Sequence, residues 1–203
     1  GNGTQVIKMN GIDLQINSLT VLNANGVTLS ETGGSSNILL SNGSGNILTM
    51  KGGNIALNNN NFTIGSGTTE PGSLVYNSGF MTGSGSLRRW FGKSSLPTSF
   101  NYAFPMGTGT NDRGISLSFS NSSITSGGML SVTHNDLPGS TEITPFSDGS
   151  LTINKKSNMN WYVTQSNNWN LGSGTIAVKI EAEGLEGVSD LSGLTVVKNN
   201  GKS

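Results

Sequence analysis

The chain contains no cysteine, so neither a disulfide framework nor thiol chemistry is open to it. Its single histidine makes a transition-metal site built on imidazole a weak prospect. Charge is scarce: Asp, Glu, Lys and Arg make up 11% of the 203 residues, against roughly 25% in an average domain. The two signs cancel at 11 residues each. Basic residues form no stripe, only the pairs Arg88-Arg89 and Lys155-Lys156, and this argues against a nucleic-acid partner. No apolar run approaches the ~18 residues of a membrane span, and no signal-peptide pattern opens the chain. Apolar residues are also sparse, at 33%.

Low hydrophobicity with balanced charge does not describe a typical disordered chain, whose net charge is high. Glycine is abundant instead, with 30 residues, and Asn, Ser and Thr crowd the sequence. That composition suits many short strands joined by tight turns around a thin line of aliphatic side chains. The expected fold class is all-β.

The chain divides unevenly. Up to Leu87 the charged residues are only Lys8, Asp13, Glu31, Lys51 and Glu70, while the other 17 of 22 follow. All three tryptophans, Trp90, Trp161 and Trp169, lie in the second part. In the first part apolar residues recur at period two: Ile12/Leu14/Ile16, Leu19/Val21, Val27/Leu29, Ile38/Leu40, Ile55/Leu57 and Phe62/Ile64. Turn residues separate them, as at Asn25-Gly26, Gly33-Gly34 and Asn58 to Asn61. Asn-Ile-Leu at Asn37 and Asn46, then Asn-Ile-Ala at Asn54, form a local repeat of about eight to nine residues. This predicts a β-solenoid over 1–86 whose corners are turned by Asn and Gly. An antiparallel meander with Asn-Gly hairpins is the alternative.

The second part, 87–203, has longer candidate strands: Phe100–Pro105, Ile115–Phe119, Met129–His134, Ser150–Lys155, Asn160–Thr164, Thr175–Ala182 and Leu194–Lys198. Seven strands with turns between them predict an antiparallel, Ig-like β-sandwich. Expected core positions are Ile12, Leu14, Ile38, Leu40, Ile55, Leu57, Trp90, Phe104, Ile115, Leu117, Trp161 and Ile180. Arg88 and Arg89 must face opposite ways on a strand. Both are expected in solvent or at the seam between the two parts, since a buried arginine needs a carboxylate or carbonyl partner. Trp90 and Phe91 are expected to plug the end of the solenoid.

Candidate chemistry is thin. Asp13, Glu31 and Glu70 are the only acids of the first part, and their spacing suggests no shared catalytic face, so the chain is not expected to be an enzyme. His134 is expected as a strand-end residue. Glu181, Glu183, Glu186 and Asp190 read as a solvated acidic edge. No cofactor is expected. A structural calcium ion on the loop carboxylates Asp112, Asp136 and Asp148 is possible on residue type alone. Trp169, between Asn168 and Asn170, is the candidate platform for a sugar.

One stretch carries a more specific pattern. Gly85-Ser86-Leu87-Arg88-Arg89 is followed by Phe104-Pro105-Met106-Gly107 and by Asp112-Arg113-Gly114-Ile115. Trp161-Tyr162-Val163-Thr164 and Leu191 to Lys198 come later. In this order the motifs resemble those of large repetitive cell-surface proteins of Bacteroidota, in which a Gly/Asn-rich solenoid runs into a β-sandwich. Asp112-Arg113-Gly114 departs from that pattern, which has Tyr-Arg-Pro there. The resemblance implies type IX secretion, display on the outer cell surface, and service as adhesin, fibre or stalk. Implied partners are neighbouring repeats of the same chain or filament, surface glycans or other surface proteins. It also makes Arg88, Arg89, Trp90, Phe104, Pro105, Gly107, Arg113 and Trp161 the junction residues. A carbohydrate-binding module is the alternative function.

Overall fold

The computed structural model describes residues 2–41, 47–93, 101–185 and 194–196. Among the described residues there is no helix. The chain divides into two compact units, one comprising Gly1–Asn135 with Trp161–Glu183 and the other Asp136–Asn160 with Gly184–Ser203.

The first unit begins as a three-faced parallel β-solenoid of about four turns. The first coil holds β1 (Gln5–Lys8), β2 (Leu14–Ile16) and β3 (Ser18–Val21). The second holds β4 (Val27–Ser30), β5 (Asn37–Leu40) and β6 (Ile47–Lys51). The third holds β7 (Ile55–Ala56), β8 (Asn60–Ile64) and β9 (Ser73–Ser78). The fourth brings β10 (Met81–Thr82), β11 (Gly85–Phe91) and β12 (Asn101–Phe104), and β13 (Met106–Gly107) follows. One face carries β1-β4-β7-β10-β13, the second β2-β5-β8-β11, and the third β3-β6-β9.

The short repeat seen in the sequence now has a geometric meaning. Asn37-Ile38 lies in β5, Ile47-Leu48 in β6 and Ile55-Ala56 in β7, which are three successive faces. Each short repeat is therefore a face, and three faces close a coil. Leu14, Ile38, Phe62 and Leu87 stand in register, coil upon coil. Leu29, Ile38, Leu40, Leu48, Met50, Ile55, Leu57, Phe62 and Ile64 are completely buried. Ile12 departs from expectation: it lies in a turn ahead of β2 and is 65% exposed.

Polar side chains tie the coils at their corners. Asn60 is fully buried. Its Nδ2 donates to the carbonyls of Leu57 and Asn58 at 2.8 and 3.0 Å, and its Oδ1 accepts from the Ser36 amide of the previous coil at 2.9 Å. Thr63 donates to Asn37 and Ser86 donates to Asn61, at 2.7 and 2.6 Å. Buried polar groups are tolerated only when so satisfied. At another corner Gly26, Gly53 and Gly79 all have positive φ, and the Cα of Gly79 approaches the Gly53 carbonyl so closely that a Cβ would meet it at 2.0 Å. Only glycine fits such a stack.

The expected boundary at 86/87 falls inside β11. There the pairing changes sense: β11 runs parallel to β8 on one side and antiparallel to β15 (Gly128–Asn135) on the other. Ahead of β15 lies β14 (Ile115–Ser126), which pairs antiparallel with β12. The remaining strands are β16 (Ser140–Asp148), β17 (Leu151–Ser157), β18 (Asn160–Ser166) and β19 (Asn170–Ile180). β18 extends the second solenoid face beyond β15, while β12-β14-β19 form a curved antiparallel sheet. An open solenoid end exposes strand edges and apolar side chains. Here antiparallel strands cover that end.

In the second unit β16 and β17 form a two-stranded hairpin around Gly149, which has φ +60. β16 was not expected from the sequence, because Pro145 and six charged or hydroxyl residues break its alternation. The surface pair Lys155–Glu142 at 3.0 Å joins the two strands, and an exposed pair of this kind contributes little. Leu194 to Val196, expected within a closing strand, are not in a strand, and Leu194 and Val196 are exposed. Lys198, Phe100, Glu186 and Asp190 lie outside the described residues.

Candidate functional site

Alternation along β11 decides the site. Leu87, Arg89 and Phe91 point inward, and Arg88 and Trp90 are half-buried on the other side. Arg89 therefore occupies a position that the solenoid reserves for aliphatic side chains. It is in register with Ile64 of the previous coil and with Leu130 of β15, and is itself 8% exposed. Of the two expected placements, in solvent or at the seam between the two parts, solvent does not hold for Arg89: alternation of facing holds, and Arg89 is the one inside.

The partner of Arg89 is a carbonyl. Its Nη1 donates to Ala103 O at 2.9 Å. The guanidinium carbon lies 5.4 Å from the centre of the Tyr102 ring and 5.7 Å from that of Phe104. Such rings attract a cation through their faces. Burial lowers the guanidinium to about 10, and Tyr102 partly offsets this. Burial in turn raises the Tyr102 phenol, with Arg89 acting in the opposite direction. Burial likewise lowers the half-buried Arg88, offset in part by Asp13, and Arg88 Nε donates to Ser86 Oγ at 3.1 Å.

Beside Arg89 lies a cleft of about 320 Å³, lined by Thr68, Pro71, Gly72, Trp90, Phe91, Gly92, Lys93, Tyr102 and Ile124 as well. Phe91 forms its aromatic backing. That ring packs against Tyr102 at 5.2 Å, and against Phe119 and Trp169 at 6.3 Å each. Phe91 is buried in the core, whereas Trp90 is half-buried on the other side of β11.

Trp169 is not the exposed platform that its polar neighbours suggest. It is 8% exposed and belongs to the core. Asn167 and Asn168 both have φ of 58, so they make a tight two-residue turn that folds the indole inward between β18 and β19. The asparagines flanking the indole reflect turn geometry, and Asn170 begins β19.

A second polar centre gathers other junction residues. Arg113 is 2% exposed, and its Nη1 donates to the carbonyls of Asp112, at 3.1 Å, and of Glu183. Trp161 Nε1 donates to Arg113 O at 2.8 Å, and the Trp161 ring lies 5.1 Å from that of the buried His134. Gly114 takes the place of proline here. Its amide donates to Asp112 Oδ1 at 2.7 Å, a bond that proline would forbid. Pro105 ends β12 and offers its carbonyl to Met81 at 2.7 Å. Gly107 has Phe80 so close that a Cβ would meet the ring at 2.5 Å. Phe104 is fully buried.

The remaining acids are engaged locally. Asp13 accepts from the Asn37 amide at 2.8 Å, and Glu70 from Ser66 at 2.6 Å. Glu181 pairs with Lys179, and Glu183 accepts from the Asp112 amide at 3.2 Å. Asp148 accepts from Thr195. Among the described residues no three of His, Cys, Asp and Glu are grouped to hold a metal ion. Asp112 lies in the first unit, and Asp136 and Asp148 lie in the second. No helix among the described residues is long and apolar enough to cross a membrane.

The fold defines the class: an all-β chain built on a parallel β-solenoid whose end is covered by antiparallel strands. Comparison with protein-family models, with curated proteins and with solved structures returned no match.

Proposed function

We propose that the chain is a structural or adhesive segment of a large secreted bacterial surface protein, working as part of a fibre, stalk or adhesin. The observation that carries this reading is the register of the coils. Parallel strands stack like upon like, with aliphatic side chains inside and Asn, Ser and Gly at the corners, an architecture that supplies length and rigidity. The acids of the solenoid bond backbone amides and hydroxyls, which favours a scaffold over a catalyst. In this proposal the antiparallel half is an Ig-like node. Export follows the type IX route that the sequence resemblance implies, and the chain works without cofactor at the outer surface of a bacterium.

Immunogold labelling of intact cells of the producing organism tests the reading. Label on the surface, and reduced adhesion after deletion of this segment, is the expected result. Label confined to the cytoplasm would sink it.

A further inference from the structure

We infer that the cleft beside Arg89 binds the carboxylate of an acidic sugar. The inference concerns a binding site, and it stands whether or not the chain serves as a stalk.

A guanidinium has five N–H donors in a rigid fork. Among the described residues one hydrogen bond, from Nη1 to Ala103 O, engages Arg89, and no carboxylate of those residues lies within ion-pair reach of it. Arg89 is among the residues that line an open cleft. The column is otherwise aliphatic, with Ile64 before and Leu130 after. A buried, incompletely paired arginine facing a cavity is the arrangement that an incoming oxyanion completes.

The cleft also states which oxyanion. The fork of a single arginine matches a planar carboxylate, two oxygens to two nitrogens. A phosphate dianion calls for more positive charge than one buried guanidinium, and among the described residues the only other cation lining the cleft is the exposed Lys93. Three other lining residues are aromatic: Trp90, Phe91 and Tyr102. Aromatic rings are the surfaces that stack on the C–H face of a sugar. At about 320 Å³ the cleft is at the small end of ligand sites, a size for a sugar ring or two. A uronate unit within a polysaccharide combines the carboxylate and the stacking face in one ring.

The experiment titrates the full 203-residue chain with tetragalacturonate, neutral galactotetraose and an acidic tetrapeptide, by calorimetry and by NMR of the tryptophan indoles. Saturable binding of tetragalacturonate is expected, with the Trp90 indole shifted and galactotetraose silent. Arg89→Leu should weaken that binding at least about tenfold, and Arg89→Lys, which keeps the charge and loses the fork, should do nearly the same. Lys93→Ala should weaken it a few-fold. If Arg89→Leu does not fold, Arg89→Lys and the site of the wild-type shifts decide. No binding by the folded wild type at millimolar tetragalacturonate overturns the proposal, as does equal binding of the neutral sugar. Binding unchanged in both Arg89 variants does so too. Preference for the acidic peptide overturns the sugar assignment.

Discussion

Arg89 stands in register with Ile64, so a guanidinium occupies the place where the two preceding coils put Leu40 and Ile64. A value lowered by burial to about 10 corresponds to a cost of about 3 kcal/mol for keeping the cation charged in the fold. The bond to Ala103 and the two ring contacts recover part of it. Replacing a buried charge by an apolar side chain of similar volume is often neutral or stabilising. Arg89→Leu should therefore raise the urea midpoint, with a gain of about 1–2 kcal/mol. A loss of similar size would show that the guanidinium is itself a stabilising part of the core.

The same residue has a pH signature. The Arg89 value is lower in the folded state, so the unfolded chain holds its proton more tightly. The penalty is in full force below about 10 and fades as pH rises from there towards the higher value of the unfolded chain. Tyr102 acts the other way: its raised phenol contributes stability below its unfolded value of 10, which is lost as pH rises through the folded value. The advantage of Arg89→Leu over wild type should thus shrink between pH 9 and 11, because the variant also deprives Tyr102 of its neighbouring cation.

Glu31 governs acid behaviour at a solenoid corner. Its Oε1 accepts from the amides of Gly11, Thr32 and Gly33 at 2.7, 2.6 and 3.2 Å, and its Oε2 from Ser36 at 2.8 Å. The Ser36 bond is the main reason that the carboxyl lies below 4.5. Slight desolvation opposes it, and the three amides reinforce it. A folded value below the unfolded one means that the contribution is complete above about 4.5 and is lost as pH falls through the folded value. The Gly11 and Gly33 amide resonances should titrate together below pH 4.5. In Glu31→Gln, whose amide oxygen still accepts, that titration should vanish while the corner persists at neutral pH.

Period-two aliphatics and Asn-Gly corners made the solenoid legible, because each face repeats one local rule: two inward side chains, then a turn. The length of the coil was not legible, since three faces with the same rule look like one short repeat. The site was half legible. Opposite facing of Arg88 and Arg89 follows from strand geometry, but which one is buried depends on β15, whose pairing with β11 is a long-range event. The inward row Leu87, Arg89, Phe91 was the available signal. Trp169 misled for a local reason: the asparagines beside it suit a left-handed turn as well as a polar surface.

Corner glycines set a strict limit on the coil. Gly53 has φ +71, and a Cβ there would meet Asn23 O at 1.9 Å and Gly26 N at 2.9 Å. Both are backbone atoms of the preceding coil's corner, so no side chain can rotate away to make room. The next corner repeats the arrangement at Gly79, against Gly53 itself. Gly53→Ala must strain φ and also push two coils apart, which should cost upward of about 3 kcal/mol. Gly33 provides the control. It has no atom within 4 Å of a built Cβ and no positive φ, and its amide remains free to bond Glu31 in an alanine variant. Gly33→Ala should leave the thermal midpoint within experimental scatter, an effect of about 0.5 kcal/mol or less. Equal midpoints for the two variants would mean that the corner stack is not what holds the coils at their spacing.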